Sequence, residues 1–153
     1  MKVICCGNAT RGDDAAALLV AARLHDLGIE ADVHQGGALE LLERWDASDE
    51  VILVDAMLAV NRTGTVHCWT NQLPSSIPSG TFSGHTVGMI EALELADVLG
   101  HTPRSLQIYG IEGRRFGLGE AVSPEVLEGV AEVVSRVAAK VAATASTIHT
   151  SVL

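Results

Sequence analysis

A strand buried on one face alternates apolar and polar side chains, whereas a strand covered on both faces loses that alternation. The run Val51-Ile52-Leu53-Val54 is unbroken aliphatic sequence and too short for a helix, so it reads as the central strand of a sheet with helices packed on both sides. It stops at Asp55. A carboxylate at the end of such a strand is partly desolvated, an arrangement tolerated where it meets a partner, a cation or a catalytic water.

The rest of the chain agrees with that frame, because β-type runs alternate with helix-period segments throughout. Strands are expected at 2–7, 29–34, 51–54, 64–69 and 105–111, and helices from Asp13 to Leu27, over 38–45, over 86–99 and from Pro124 onward. In the first helix Leu18, Leu19, Ala22 and Leu27 are expected to share the buried face, with Gly28 closing it as a C′ residue. Asp13 is expected to cap that helix, and Ser123 to cap the last one ahead of Pro124 at N1. The strand at 64–69 follows the third too closely for a helical crossover, so it is expected at an edge or antiparallel. Aromatics are only 3% of residues while hydrophobics are 48%, which calls for an aliphatic core. The expected fold is a three-layer α/β/α sandwich around a mostly parallel, mixed five-stranded sheet, one domain over 1–143, with 144–153 as a frayed tail.

A net charge of −9, with ten basic residues and no aromatic interleaving, argues against nucleic acid and anionic membranes as partners. No apolar run is long enough to span a bilayer and no signal-peptide pattern opens the chain, so a cytoplasmic location is expected. Cys5, Cys6 and Cys68 lack metal-ligand spacing and leave an odd count, and the first two read as buried, inert thiols.

In open α/β sheets ligands gather beyond the C-terminal ends of the strands. The polar residues expected there are Asn8, Arg11, Asp13 and Asp14 after the first strand, Asp55 after the third, Ser83 and His85 at the end of the Ser/Pro/Gly-rich segment 71–84, and Glu112 after the fifth. Carboxylates with an imidazole could hold a divalent cation such as zinc or nickel, since anionic oxygens offset its charge. Plainer readings stand beside this one: Asp14 would favour the helix dipole, and His85 would be an exposed loop histidine. His25, His34, His67, His101 and His149 are read as structural. No GxSxG elbow, HExxH motif or Cys next to a plausible base offers a covalent or zinc-protease mechanism.

Asp13, Asp14, Asp55 and Thr86 superficially fit a phospho-acceptor receiver module, and the alternative to an enzyme is such a module or another non-enzymatic α/β binding module. Such modules resemble this chain only as far as the fifth strand, where they need a Lys and Gly110-Ile111-Glu112 stands instead. A second resemblance is more specific. Gly7-Asn8 followed after four residues by Asp13-Asp14 resembles the opening motif of the hydrogenase maturation proteases, and Gly36-Gly37-Ala38 is similar to that family's Gly-Gly-Thr turn. Val51 to Ala56, Ser83 to Gly88, Gly110-Ile111-Glu112 and Leu118 to Val126 resemble its later segments in order, so that the likeness spans about residues 3 to 138. Gln35 and Ala38 depart from the family pattern and bear on which hydrogenase class is served. The resemblance implies an endopeptidase that trims the C-terminus of a hydrogenase large-subunit precursor after nickel insertion, with Asp14, Asp55 and His85 as catalytic and nickel-contacting residues. It implies no organic cofactor, nickel brought by the substrate, with another divalent cation such as zinc or cadmium as a stand-in in crystals, and the precursor as partner; the sequence does not set the oligomeric state, and a monomer is expected.

Overall fold

The computed structural model describes residues 1–72 and 84–151, and the side chains of all of these except 84–87 and 148–151. Its elements in chain order are β1 (Lys2–Cys6), α1 (Ala16–Asp26), β2 (Asp32–His34), α2 (Ala38–Leu42), β3 (Glu50–Leu58), β4 (Val66–Thr70), α3 (Gly84–Leu99), β5 (Ser105–Gly113) and α4 (Pro124–Ser151). A 3-10 turn over Gly12–Ala15 precedes α1. The five strands lie in the order β2-β1-β3-β5-β4, all parallel except the edge strand β4, which runs antiparallel to β5. The short β3–β4 connection imposes that exception, as a parallel partner would need a crossover element.

Alternation along the strands divides the interior into two layers. Val3, Cys5, Ile52, Val54, Ala56, Tyr109 and Ile111 pack with α1 and α4, while Ile4, Cys6, Val51, Leu53, Leu106 and Ile108 pack with α2 and α3. This is the α/β/α sandwich expected from Val51–Val54, whose four side chains serve both cores in turn.

Several boundaries differ from those expected. The strand does not stop at Asp55: β3 continues to Leu58, paired throughout with Gly110–Gly113 of β5, whereas its pairing with β1 ends at Cys5 and Val54. Asp55 therefore stands where one flanking strand has ended and the other goes on. In α1 the buried residues are Ala16, Ala17, Val20, Ala21 and Leu24, while Ala22 and Leu27 are exposed. The stripe is rotated because 13–15 form a 3-10 turn, so the α-helix starts later than the sequence pattern suggested; Gly28, at φ 76°, closes it as expected. The segment from Thr144, expected to fray, continues α4 to Ser151, with the Thr144 and Thr147 hydroxyls donating to the carbonyls of Lys140 and Ala143. Among the described residues no helix is long and apolar enough to cross a membrane.

Candidate active site

The loop after β1 is shaped by its own polar groups. Asn8 Oδ1 accepts from the Thr10 amide at 3.0 Å and from the Thr10 hydroxyl at 2.7 Å, forming an Asx turn. The Asp14 amide then donates to Arg11 O at 3.0 Å, and the Asn8 amide to Asp14 O at 3.1 Å. Gly7 is required here, since a Cβ at that position would run into the Asp14 carbonyl oxygen. Asp14 is thereby held in the 3-10 turn, against β3, with only 2% of its surface exposed.

Asp55 is 1% exposed, and its Oδ1 accepts from the adjacent Ala56 amide at 2.8 Å. By strand parity with Val51 and Leu53 it belongs to the sheet face covered by α2 and α3. Cys6 lies on the same face, and its thiol registers both acids. Burial, and next the Asp55 carboxylate, hold its pKa well above the usual thiol range, with Asp14 adding to the effect and Arg44 opposing it. One carboxylate from the 3-10 turn and one from β3 thus act on the same buried thiol. Cys5, pushed up to about 12 by burial and then by Asp32 and Asp55, is equally unsuited to act as a thiolate.

His85 falls in the first turn of α3, inside the helix rather than at the end of a loop, one turn ahead of the buried Met89. Its side chain lies outside the described residues, as does Ser83 altogether. Among the described residues no group of three or more His, Cys, Asp and Glu side chains could hold a metal ion. Of the expected set, Asp14 and Asp55 are buried, and α3 packs over β3 on the Asp55 side.

Asp13 has a different task from the one expected. It does not cap its helix; the capping position is Arg11, without a side-chain bond. Its fully buried carboxylate accepts from the amides of Arg114 (2.8 Å), Arg115 (2.9 Å) and Ser123 (2.6 Å) and from the Ser123 hydroxyl (2.8 Å). Burial raises its pKa, but the hydrogen bonds from Ser123, Arg115 and Arg114 outweigh that and leave it below the usual carboxylate value. Ser123 consequently spends its hydroxyl proton on Asp13, across the β1 and β5 loops.

An acid–imidazole pair was missed from sequence. Glu112, fully buried on the same sheet face as Asp55, accepts from His67 Nε2 at 3.0 Å and from Asn61 Nδ2 at 3.3 Å. His67 also stacks on Trp69 with ring centroids 5.6 Å apart. The signal lies in the antiparallel register, which sets His67 opposite Gly110 and so beside Glu112. The other histidines with described side chains are structural: His25 bonds Ala31 O, His34 bonds Gly37 O, and His101 bonds the carbonyls of Leu42 and Trp45.

The family model for HycI, hydrogenase maturation protease, matches residues 21–143. The chain belongs to the hydrogenase maturation protease family. Its members are peptide hydrolases, and the receiver alternative falls with that assignment; a receiver's all-parallel 2-1-3-4-5 sheet also differs from the one seen here. The fold is shared with solved structures of the same kind. The [NiFe] hydrogenase maturation protease HybD from Thermococcus kodakarensis superposes with a TM-score of 0.71 at 24% identity, over 92% of this chain and 99% of that one. The hydrogenase maturating endopeptidase HybD from E. coli gives 0.76 at 21% identity over 94% of each chain. No curated protein matches the sequence.

Proposed function

We propose that this maturation protease removes the C-terminal extension of a nickel-loaded hydrogenase large-subunit precursor, with Asp14, Asp55 and His85 contacting the nickel carried by the substrate. The observation that carries the reading is the pair of buried carboxylates, Asp14 in the 3-10 turn after β1 and Asp55 within β3 just past the end of its pairing with β1, both acting on the Cys6 thiol. Two buried anions attract a dication far more strongly than they would in water, and His85 in the first turn of α3, the helix on the sheet face to which Asp55 belongs, offers a borderline ligand suited to nickel. Both thiols at the end of β1 are held protonated, which leaves peptide hydrolysis to an attacking water rather than to a cysteine. The Ala56 amide fixes the Asp55 carboxylate, so that it is oriented before substrate arrives.

Anchoring through the substrate's own metal supplies the positioning that the chain lacks for an unaided amide, and it makes nickel insertion the condition for cleavage. The test incubates equal amounts of nickel-free and nickel-loaded precursor with the wild-type protein and with His85→Ala, and follows loss of the extension by mass. Cleavage is expected only for the loaded precursor and only by the wild type. Equal cleavage of both precursors by the wild type would defeat the proposal.

A further inference from the structure

The two loops locked together by Asp13 bury their acids Asp13 and Asp14 and turn their arginines outward, so that positive charge prevails on their surface although their formal charges balance. Residues 8–15 and 114–123 hold four exposed charged side chains, Arg11, Arg114, Arg115 and Glu120, in a protein whose net charge is −9. Among the described residues, the ion pairs of Lys and Arg use Lys2, Arg104 and Arg136, and none involves the three arginines of these loops. The one exposed acid beside them, Glu120, turns back to accept from the Gly117 amide at 2.7 Å.

The arginines are presented on a built platform rather than on a floppy loop. Asp13 donates its amide to Arg115 O at 2.6 Å while its carboxylate accepts from the Arg114 and Arg115 amides, and Gly119 donates to Thr10 O at 2.8 Å. Gly12 adopts φ 54° directly against the Arg115 carbonyl, a site that admits no side chain. The backbones beneath the charges are therefore held in place while the guanidinium groups reach solvent, beside Leu118, which is 75% exposed. Arg11 is in the same turn as Asp14. The platform thus borders the candidate site.

We infer that Arg11, Arg114 and Arg115, with Leu118 as an apolar contact, form a docking surface for an acidic segment of the protein substrate; this rests on the function proposed above. Guanidinium groups pair with carboxylates through forked hydrogen bonds, and a local positive patch on an acidic protein selects a partner whose facing surface is negative where the rest would repel it. A protein segment is favoured over nucleic acid because the aromatic residue beside the arginines, Phe116, packs against the core between the sheet, α1 and α4 and is not free to stack on bases. The surface contributes to binding, not to the chemical step.

The experiment compares two double charge reversals with the same change in net charge. Arg114→Glu/Arg115→Glu alters the platform, and Arg23→Glu/Lys140→Glu alters residues whose helix positions lie toward the opposite end of the sheet. The backbone amides bound by Asp13 survive the first change, and Arg114→Gln/Arg115→Gln serves if the reversal weakens folding. With nickel-loaded precursor the platform variant is expected to raise KM about tenfold with kcat nearly unchanged, and to lose the salt dependence of KM that the wild type and the control retain. Binding of a fluorescent Glu-rich peptide at low salt is expected to fall by a similar factor in the platform variant only. An unchanged KM in the platform variant, or an equal rise in the control, overturns the assignment and leaves the proposed protease function standing. Failure of the wild type to process the precursor, with platform-dependent peptide binding intact, does the reverse. Absence of peptide binding by the wild type, or tighter platform-dependent binding of single-stranded DNA, also overturns it.

Discussion

A carboxylate can leave water when enough donors replace the water it loses, and Asp13 meets that condition with three amides and a hydroxyl. Asp13→Asn presents an amide group to those donors and is expected to cost about 3 kcal/mol, against about 1 kcal/mol for Ser123→Ala, measured by urea denaturation. Because its folded pKa lies below the unfolded value, Asp13 binds fewer protons in the native state at mildly acid pH. Its contribution is complete above the unfolded pKa of about 4 and is lost as pH falls through the folded value. The stability gap between wild type and Asp13→Asn is therefore expected to narrow below about pH 4; a gap constant down to strong acid would contradict the assignment. The thiols allow a second check. Cys5 and Cys6 are expected to resist alkylation in the native protein while the half-buried Cys68 reacts, and all three to react in urea. The sequence marked Asp13, Asp14 and Asp55 by their places after strands, yet the partner of Asp13 is 110 residues away and that of His67 is 45 away. Neither pairing has a local signature.

Elements were legible where hydrophobic pattern and strand count decide them, and less so where turns set their limits. The β3 core was evident from Val51–Val54, but its extension to Leu58 depends on β5 running alongside. The face of α1 was misplaced because its entry turn is 3-10, which shifts the stripe onto Ala16, Ala17, Val20, Ala21 and Leu24. Small residues there let the helix approach the sheet closely, and Leu24→Ala is expected to cost about 3 kcal/mol through the cavity it leaves. The entry turn is more sensitive in function. Gly7→Ala forces a methyl group against the Asp14 carbonyl, so it is expected to cost at least about 2 kcal/mol and to displace Asp14. Unaltered melting together with unaltered precursor processing would show that the turn yields more readily than its packing suggests.

For the whole molecule, the sheet edge is where the separate segments acquire a common chemistry. Asp55→Asn preserves shape while removing an anion from that edge, so the fold is expected to persist with a melting temperature within a few degrees of wild type, while processing drops by more than about a hundredfold. Circular dichroism and the precursor assay read the two outcomes separately. The Asp13 clasp also bears on the order of assembly. The loop carrying Asp14 is closed on one side by Arg114, Arg115 and Ser123, so its native surroundings do not exist until the chain has been synthesised through Ser123. Contacts of such long sequence separation form late, after the loop entropy they demand has been met by the sheet between them. A nascent chain in which β1 and β3 have already paired thus has the local bonds of the Asp14 turn but not the Asp13 clasp beside it, and with the role proposed for Asp14 full proteolytic competence is expected only of the completed fold.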